Sequence, residues 1–119
     1  MNELKLGLIE TRFANIIWSH EPLSSGELAK LAEAELGWKR TTTYTVLKRL
    51  CDRGIFQNLQ GIVSSILSKD EFYALQSEKF VEETFHGSLP AFLAAFGTRK
   101  KLSARELDEL QHIIDDMRR

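Results

Sequence analysis

Ile55-Phe56-Gln57-Asn58-Leu59-Gln60-Gly61-Ile62-Val63-Ser64-Ser65-Ile66-Leu67 is the stretch on which the fold turns. Apolar residues, several β-branched or aromatic, lead into Gln60-Gly61 and resume directly after it. A two-residue break containing glycine between such runs predicts a β-hairpin.

Upstream of it the chain reads as helix. Leu23-Ser24-Ser25-Gly26-Glu27-Leu28 places a serine where an N-cap belongs, a glutamate three residues on to bond back to it, and leucines at both ends as a hydrophobic staple. The arrangement recurs at Leu67-Ser68-Lys69-Asp70-Glu71-Phe72 and at Leu102-Ser103-Ala104-Arg105-Glu106-Leu107, so three helix starts are marked. Before the first of them, Phe13, Ala14, Ile16 and Ile17 form an apolar stripe at helical spacing, broken by His20-Glu21-Pro22. A second helix runs from residue 24 to about 35, burying Leu28, Leu31 and Ala32, and a third begins near Arg40 and stops at Gly54. Three short helices followed by a hairpin predict a winged helix-turn-helix domain over residues 1–68. In that fold the third helix normally enters the DNA major groove.

Residues 69–119 read as helical throughout, with breaks at Gly87-Ser88 and before Ser103. Leu89, Phe92, Leu93 and Phe96 recur at i, i+3, i+4 and i+7, and Leu107, Leu110, Ile114 and Met117 repeat at coiled-coil-like spacing. So short a segment cannot enclose a core unaided, yet it displays Phe72, Phe80, Phe85, Phe92 and Phe96. A second copy of the chain is the commonest cover for such a surface, so Phe92, Leu93, Phe96, Leu107, Leu110, Ile114 and Met117 are expected at a dimer interface. The fold class expected is mainly α with a small β-hairpin wing, completed by a C-terminal helical dimerisation domain.

Composition narrows the function. The 119 residues carry 28% charged and 43% hydrophobic side chains, which argues against disorder, and no apolar run approaches a bilayer span. Met1 to Leu8 lacks the basic start and apolar core of a secretory signal, so a cytoplasmic location is expected. The lone cysteine, Cys51, forms no internal disulfide, cannot build a multi-thiolate zinc site, and reads as a half-buried small hydrophobe. His20, His86 and His112 lie far apart with no paired ligand spacing, so no metal is expected. There is no phosphate loop, nucleophile elbow or convincing triad, and nothing asks for a cofactor. Trp18 and Trp38 read as packing residues rather than as stacking platforms for bases.

Charge points elsewhere. The net charge is −1, but Lys39, Arg40, Lys48, Arg49 and Arg53 crowd between Trp38 and Arg53 against Asp52 alone. At 100° per residue, Thr43, Val46, Leu47 and Leu50 share one face of the third helix and are expected in the core. The opposite side carries Thr41, Tyr44, Thr45 and Lys48, with Thr42 and Arg49 toward its edges. Threonines are mediocre helix formers, so helix stability does not account for four of them here. Hydroxyls, a phenol and cations can bond phosphates and base edges, and threonine methyls can pack on thymine methyls. An N-cap with a solvated face is the plain alternative for the same residues.

Leu6-x-x-x-Glu10-x-x-Phe13-x-x-x-Ile17-Trp18, then Trp38-x-x-Thr41-Thr42-x-x-Thr45-x-Leu47-x-Arg49-Leu50-x-x-x-Gly54, resembles the penicillinase and methicillin-resistance repressor family, which also includes copper-responsive repressors. In the tail, Phe85-His86-Gly87-Ser88-Leu89 and Leu102-Ser103-x-x-Glu106-Leu107-x-x-Leu110 are similar to that family's dimerisation region. The resemblance implies a homodimeric repressor whose third-helix contacts fall on Thr41, Thr42, Thr45 and Arg49. Antibiotic-branch members are inactivated by a membrane sensor protease that cuts an Asn-Phe bond. The matching place here is Ala95-Phe96, so the resemblance brings the protease as a partner without its cleavage dipeptide. The copper branch senses metal through C-terminal cysteine pairs, which this chain lacks. The family's wing often has a basic residue after its glycine and a Tyr-Pro pair; Gly61-Ile62 and Ser65-Ile66 stand there, which implies weaker wing contacts to DNA.

The expectation is therefore a dimeric, non-enzymatic repressor on a palindromic double-stranded DNA operator. Lys39, Arg40, Lys48 and Arg49 would sit on phosphates, and Thr41, Thr42, Tyr44 and Thr45 would supply most base contacts. The alternative is a winged-helix protein-interaction module, supported by the near-neutral total charge.

Overall fold

The computed structural model describes residues 6–119. The elements run α1 (Leu8–His20), β1 (Leu23–Ser24), α2 (Ser25–Leu36), α3 (Arg40–Asp52), β2 (Phe56–Leu59), β3 (Ile62–Ser65), α4 (Lys69–Phe85), α5 (Leu89–Arg99) and α6 (Ala104–Met117). Two compact units, Met1–Ser77 and Glu78–Arg119, divide the chain inside α4. No helix among the described residues is long and apolar enough to cross a membrane.

The marked helix starts form as the local chemistry requires. Ser24, Ser68 and Ser103 accept from the amides of Glu27, Glu71 and Glu106 at 3.0 to 3.1 Å, and each glutamate carboxylate accepts in return from its serine's amide at 2.9 to 3.1 Å. The returning bonds from Ser24 and Ser68 hold the Glu27 and Glu71 carboxyls below the usual carboxylate range. Half of the same arrangement, unmarked by any serine, lies at the start of α1, where the Gly7 amide donates to the Glu10 carboxylate at 3.2 Å.

The hairpin forms as expected, with Phe56 opposite Ser65 and Leu59 opposite Ile62. Its turn is the tight two-residue kind with both residues at positive φ, Gln60 at 54° and Gly61 at 87°, and the Asn58 side chain accepts from the Gly61 amide at 2.9 Å. The strand β1 was not legible in the sequence. Two residues long, it pairs antiparallel with β3, Leu23 opposite Val63, and makes the sheet three-stranded in the order β1-β3-β2. Glu21, just before it, accepts from the amide and hydroxyl of Ser65, both at 2.7 Å, tying the end of α1 to the wing.

The core of the first unit gathers Phe13 and Ile17 of α1, Leu28 and Ala32 of α2, Val46, Leu47 and Leu50 of α3, and Ile55, Phe56 and Val63 of the wing. Two expectations change. Leu31 is half-buried at the edge of this core rather than inside it. Phe72, expected among the aromatics that the tail displays, is 1% exposed and belongs to the winged-helix core. The reason is Trp18. Its indole N–H donates to the Leu67 carbonyl at 3.0 Å, and its ring lies against Phe56, Phe72 and Tyr73 with centroids 5.2, 5.6 and 6.2 Å away, so the first turns of α4 complete this unit.

In the second unit Phe80, Phe85 and Phe92 meet edge to face, with centroids 5.6 to 6.0 Å apart. No residue of α5 or α6 is fully buried. Phe92, Leu93, Phe96, Leu102, Leu110 and Ile113 line an open apolar groove with Glu106 and Glu109 at its rim. Of the residues expected at a dimer interface, Phe92, Leu93, Phe96 and Leu110 thus share this groove. Leu107, Ile114 and Met117 stay outside it, 52%, 41% and 73% exposed, and Ile113 is a lining residue that the heptad reading passed over.

Phe72→Ala should cost about 3–5 kcal/mol of the first unit's stability, the usual range for emptying a buried phenylalanine site. Urea unfolding followed by tryptophan fluorescence checks it; a loss under about 1 kcal/mol would return Phe72 to the tail. The Thr43 hydroxyl is buried with no hydrogen-bond partner among the described residues. Thr43→Val should therefore stabilise the same unit, by about 1 kcal/mol, by removing a desolvated hydroxyl at constant shape.

Candidate nucleic-acid interface

The turn between α2 and α3 sets the site. Gly37 ends α2 at φ 70°, a left-handed conformation open to glycine, and its amide donates to the Glu33 carbonyl at 3.0 Å. Trp38 then packs its ring on Phe13 with centroids 5.0 Å apart, which pins the turn to α1. Lys39 is the N-cap of α3 but makes no side-chain capping bond, so no threonine caps this helix. That removes half of the plain alternative for Thr41 to Thr45. The first amides of α3 have no intrahelical acceptor and no side-chain cap, and they start the helix beside Lys39 and Arg40, an arrangement that favours anions.

Thr43, Val46, Leu47 and Leu50 are the buried residues of α3, as the helical spacing predicts. All eight residues expected on the DNA-facing side, Lys39, Arg40, Thr41, Thr42, Tyr44, Thr45, Lys48 and Arg49, are exposed. Their side chains are not all equally available. The Thr45 hydroxyl donates to the Thr41 carbonyl at 2.9 Å, leaving its oxygen as an acceptor and its methyl as an apolar contact. The Arg40 guanidinium lies 5.9 Å from the Tyr44 ring centroid, a cation–π approach.

Two carboxylates share this surface. Lys48 meets Asp52 at 3.2 Å in a pair 77% and 66% exposed, which water screens and a stronger anion can displace. The second carboxylate comes from another element, and the local charge pattern gave no sign of it. Glu10 of α1 meets Arg49 at 3.2 Å and Arg53 at 3.8 Å. Among the described residues the cations of α3 thus meet Glu10 as well as Asp52.

Beside α3 a shallow groove is lined by Tyr44, Leu47, Lys48, Cys51 and Asn58. Burial, then the Asp52 charge, pushes the Cys51 thiol above its usual range, and the nearby Lys48 only partly opposes this. A thiol raised in this way is a poor nucleophile, consistent with its reading as a half-buried hydrophobe.

The wing differs from α3 in chemistry. Residues 54–68 contain no lysine or arginine, and its tip presents the cross-strand pair Leu59 and Ile62, 62% and 49% exposed. The Ser25 amide donates to the Gly61 carbonyl at 2.8 Å, so the wing turn is fastened to the start of α2. The cations of this region therefore lie on α3 and the turn before it, not on the wing.

Comparison with known proteins places this arrangement. The chain is 22% identical to the penicillinase repressor of Bacillus licheniformis over 111 residues, covering 90% of this chain and 87% of that one. It is 21% identical to the methicillin resistance regulatory protein MecI of Staphylococcus epidermidis over 110 residues, 89% of each. The profile of the penicillinase repressor family matches residues 6–116, spanning both compact units, and the chain belongs to that family.

Proposed function

We propose that this protein is a transcriptional repressor that acts by occupying operator DNA as a homodimer and performs no chemistry. The observation that carries the reading is α3. Its inner face is buried to the last residue, and its outer face sets threonines without capping duty among Lys39, Arg40, Lys48 and Arg49. Cations and uncapped amides suit phosphates, whereas Thr41, Thr42, Tyr44 and Thr45 have the reach and chemistry for base edges. The wing, without cations, adds apolar and amide contacts.

One such domain reads too few base pairs to discriminate against a genome, so a second half-site must be engaged together with the first. Residues 69–119 supply the coupling. The exposed stripe of Leu107, Ile114 and Met117 on α6, together with the groove of Phe92, Leu93, Phe96 and Leu110, is the surface for a second copy, and a two-fold pair matches a palindromic operator. A sensor protease that relieves repression by cutting an Asn-Phe bond would find Ala95-Phe96 here.

Thr45→Ala should cost about 1 kcal/mol per half-site on the specific duplex and little on mixed-sequence DNA, because it removes a methyl and an acceptor from the middle of the reading face. Lys48→Ala should weaken both duplexes alike and flatten the salt dependence. Fluorescence anisotropy titrations over a range of salt check both; equal losses for Thr45→Ala on the two duplexes would remove Thr45 from the reading set. A wild-type affinity for duplex DNA that ignores salt would favour a protein-interaction module instead.

Leu107→Asp should yield a folded monomer in sedimentation, since this side chain lies outside the chain's own groove and its loss leaves the winged-helix core intact. That monomer should keep weak nonspecific DNA binding and lose operator affinity. A dimeric Leu107→Asp variant with parental operator affinity would overturn the assignment of α6.

A further inference from the structure

The basic surface of α3 contains one charge that another helix holds in place. Glu10 is the third residue of α1, and its carboxylate is divided in use. Oε1 accepts from the Gly7 amide at 3.2 Å, which fixes the side chain against its own helix, and Oε2 accepts from Arg49 Nη1 at 3.2 Å with Arg53 Nη1 at 3.8 Å. Exposure is graded across the group. The Glu10 side chain is 20% exposed, that of Arg53 24% and that of Arg49 50%, so the acid is the more buried partner and Arg49 the more accessible one. The other acid on this surface has a different character, because the Lys48–Asp52 pair is solvated on both sides and lies within one helix.

A carboxylate on a DNA-facing surface repels phosphate, so a role in bulk attraction is excluded by sign. Orientation is what it can supply. A guanidinium has five N–H donors in a rigid plane, and a bond at Nη1 restricts where that plane can lie while leaving its other donors for a second partner. An arginine already held in one geometry gives up less freedom when a phosphate or base edge arrives in register. Where the contact is out of register, the same carboxylate contributes only repulsion.

We propose that Glu10 is the positioning residue for Arg49, raising selectivity for the correct DNA site at the expense of general attraction. The inference rests on the DNA-binding reading above. It requires a loss on one probe without a loss on the other, which neither plain neutralisation nor plain fold support produces.

The probes are a duplex enriched from a randomised pool by the wild-type protein and a mixed-sequence duplex of equal length. Glu10→Gln keeps an acceptor for the Gly7 amide and removes the charge. It should weaken binding to the enriched duplex by about tenfold while binding to the mixed-sequence duplex holds or tightens. In an Arg49→Ala background the same change should no longer weaken the enriched duplex, and thermal melting of Glu10→Gln should stay close to the parent. Tighter binding to both duplexes would show that Glu10 only neutralises charge and would overturn the proposal. Equal weakening with and without Arg49 would show a structural effect and overturn it as well. A wild-type protein that enriches no sequence from the pool would bring down the DNA-binding reading itself, and this inference with it.

Discussion

The rotation of α3 about its own axis is the constraint from which the functional surface follows. Thr43, Val46, Leu47 and Leu50 bury themselves in the first unit's core, and a helix locked by four inward side chains has no freedom to choose what it shows outside. Arg40, Thr41, Thr42, Tyr44, Thr45, Lys48 and Arg49 then face outward as a consequence of packing, while Thr43 is spent on the core. The buried Thr43 hydroxyl, which has no partner among the described residues, indicates that the inward face is set by shape and not by polarity. Trp38 on Phe13 and the left-handed Gly37 set where the helix begins, so α1 and α2 act as the platform on which α3 is presented.

Charge is distributed on this platform with more restraint than the sequence suggests. A strongly basic face would bind any duplex, since phosphate contacts carry no sequence information. Here Asp52 and Glu10 moderate the cations of α3, and the wing adds none. On the proposed reading this restraint favours contacts that depend on sequence, and a near-neutral total charge is compatible with a locally basic helix face.

The second unit faces the opposite difficulty: too little volume for its apolar side chains. Phe80, Phe85 and Phe92 satisfy one another edge to face, but α5 and α6 bury no residue completely, and α6 carries an exposed apolar stripe along its length. A surface of this kind is the one that the proposed second copy would cover. The family to which the chain belongs spans both units.

The elements set by short-range chemistry were legible in the sequence. Serine and glutamate three residues apart define a helix start wherever the chain goes, and Gln60-Gly61 between apolar runs defines a hairpin by turn geometry alone. The inner and outer faces of α3 followed from helical spacing for the same reason. What tertiary structure decided are the partnerships between distant residues. Two residues, Leu23 and Ser24, become a strand only because β3 lies beside them, and nothing in so short a segment signals pairing. Phe72 joins the winged-helix core because Trp18 offers it a ring, although its spacing along α4 suits the tail equally well. Glu10 meets Arg49 across 39 residues of chain, a contact that exists only once α1 and α3 have packed on one core. Local bonds are encoded by neighbours in sequence, whereas burial and ion pairing depend on which surfaces the folded chain brings together.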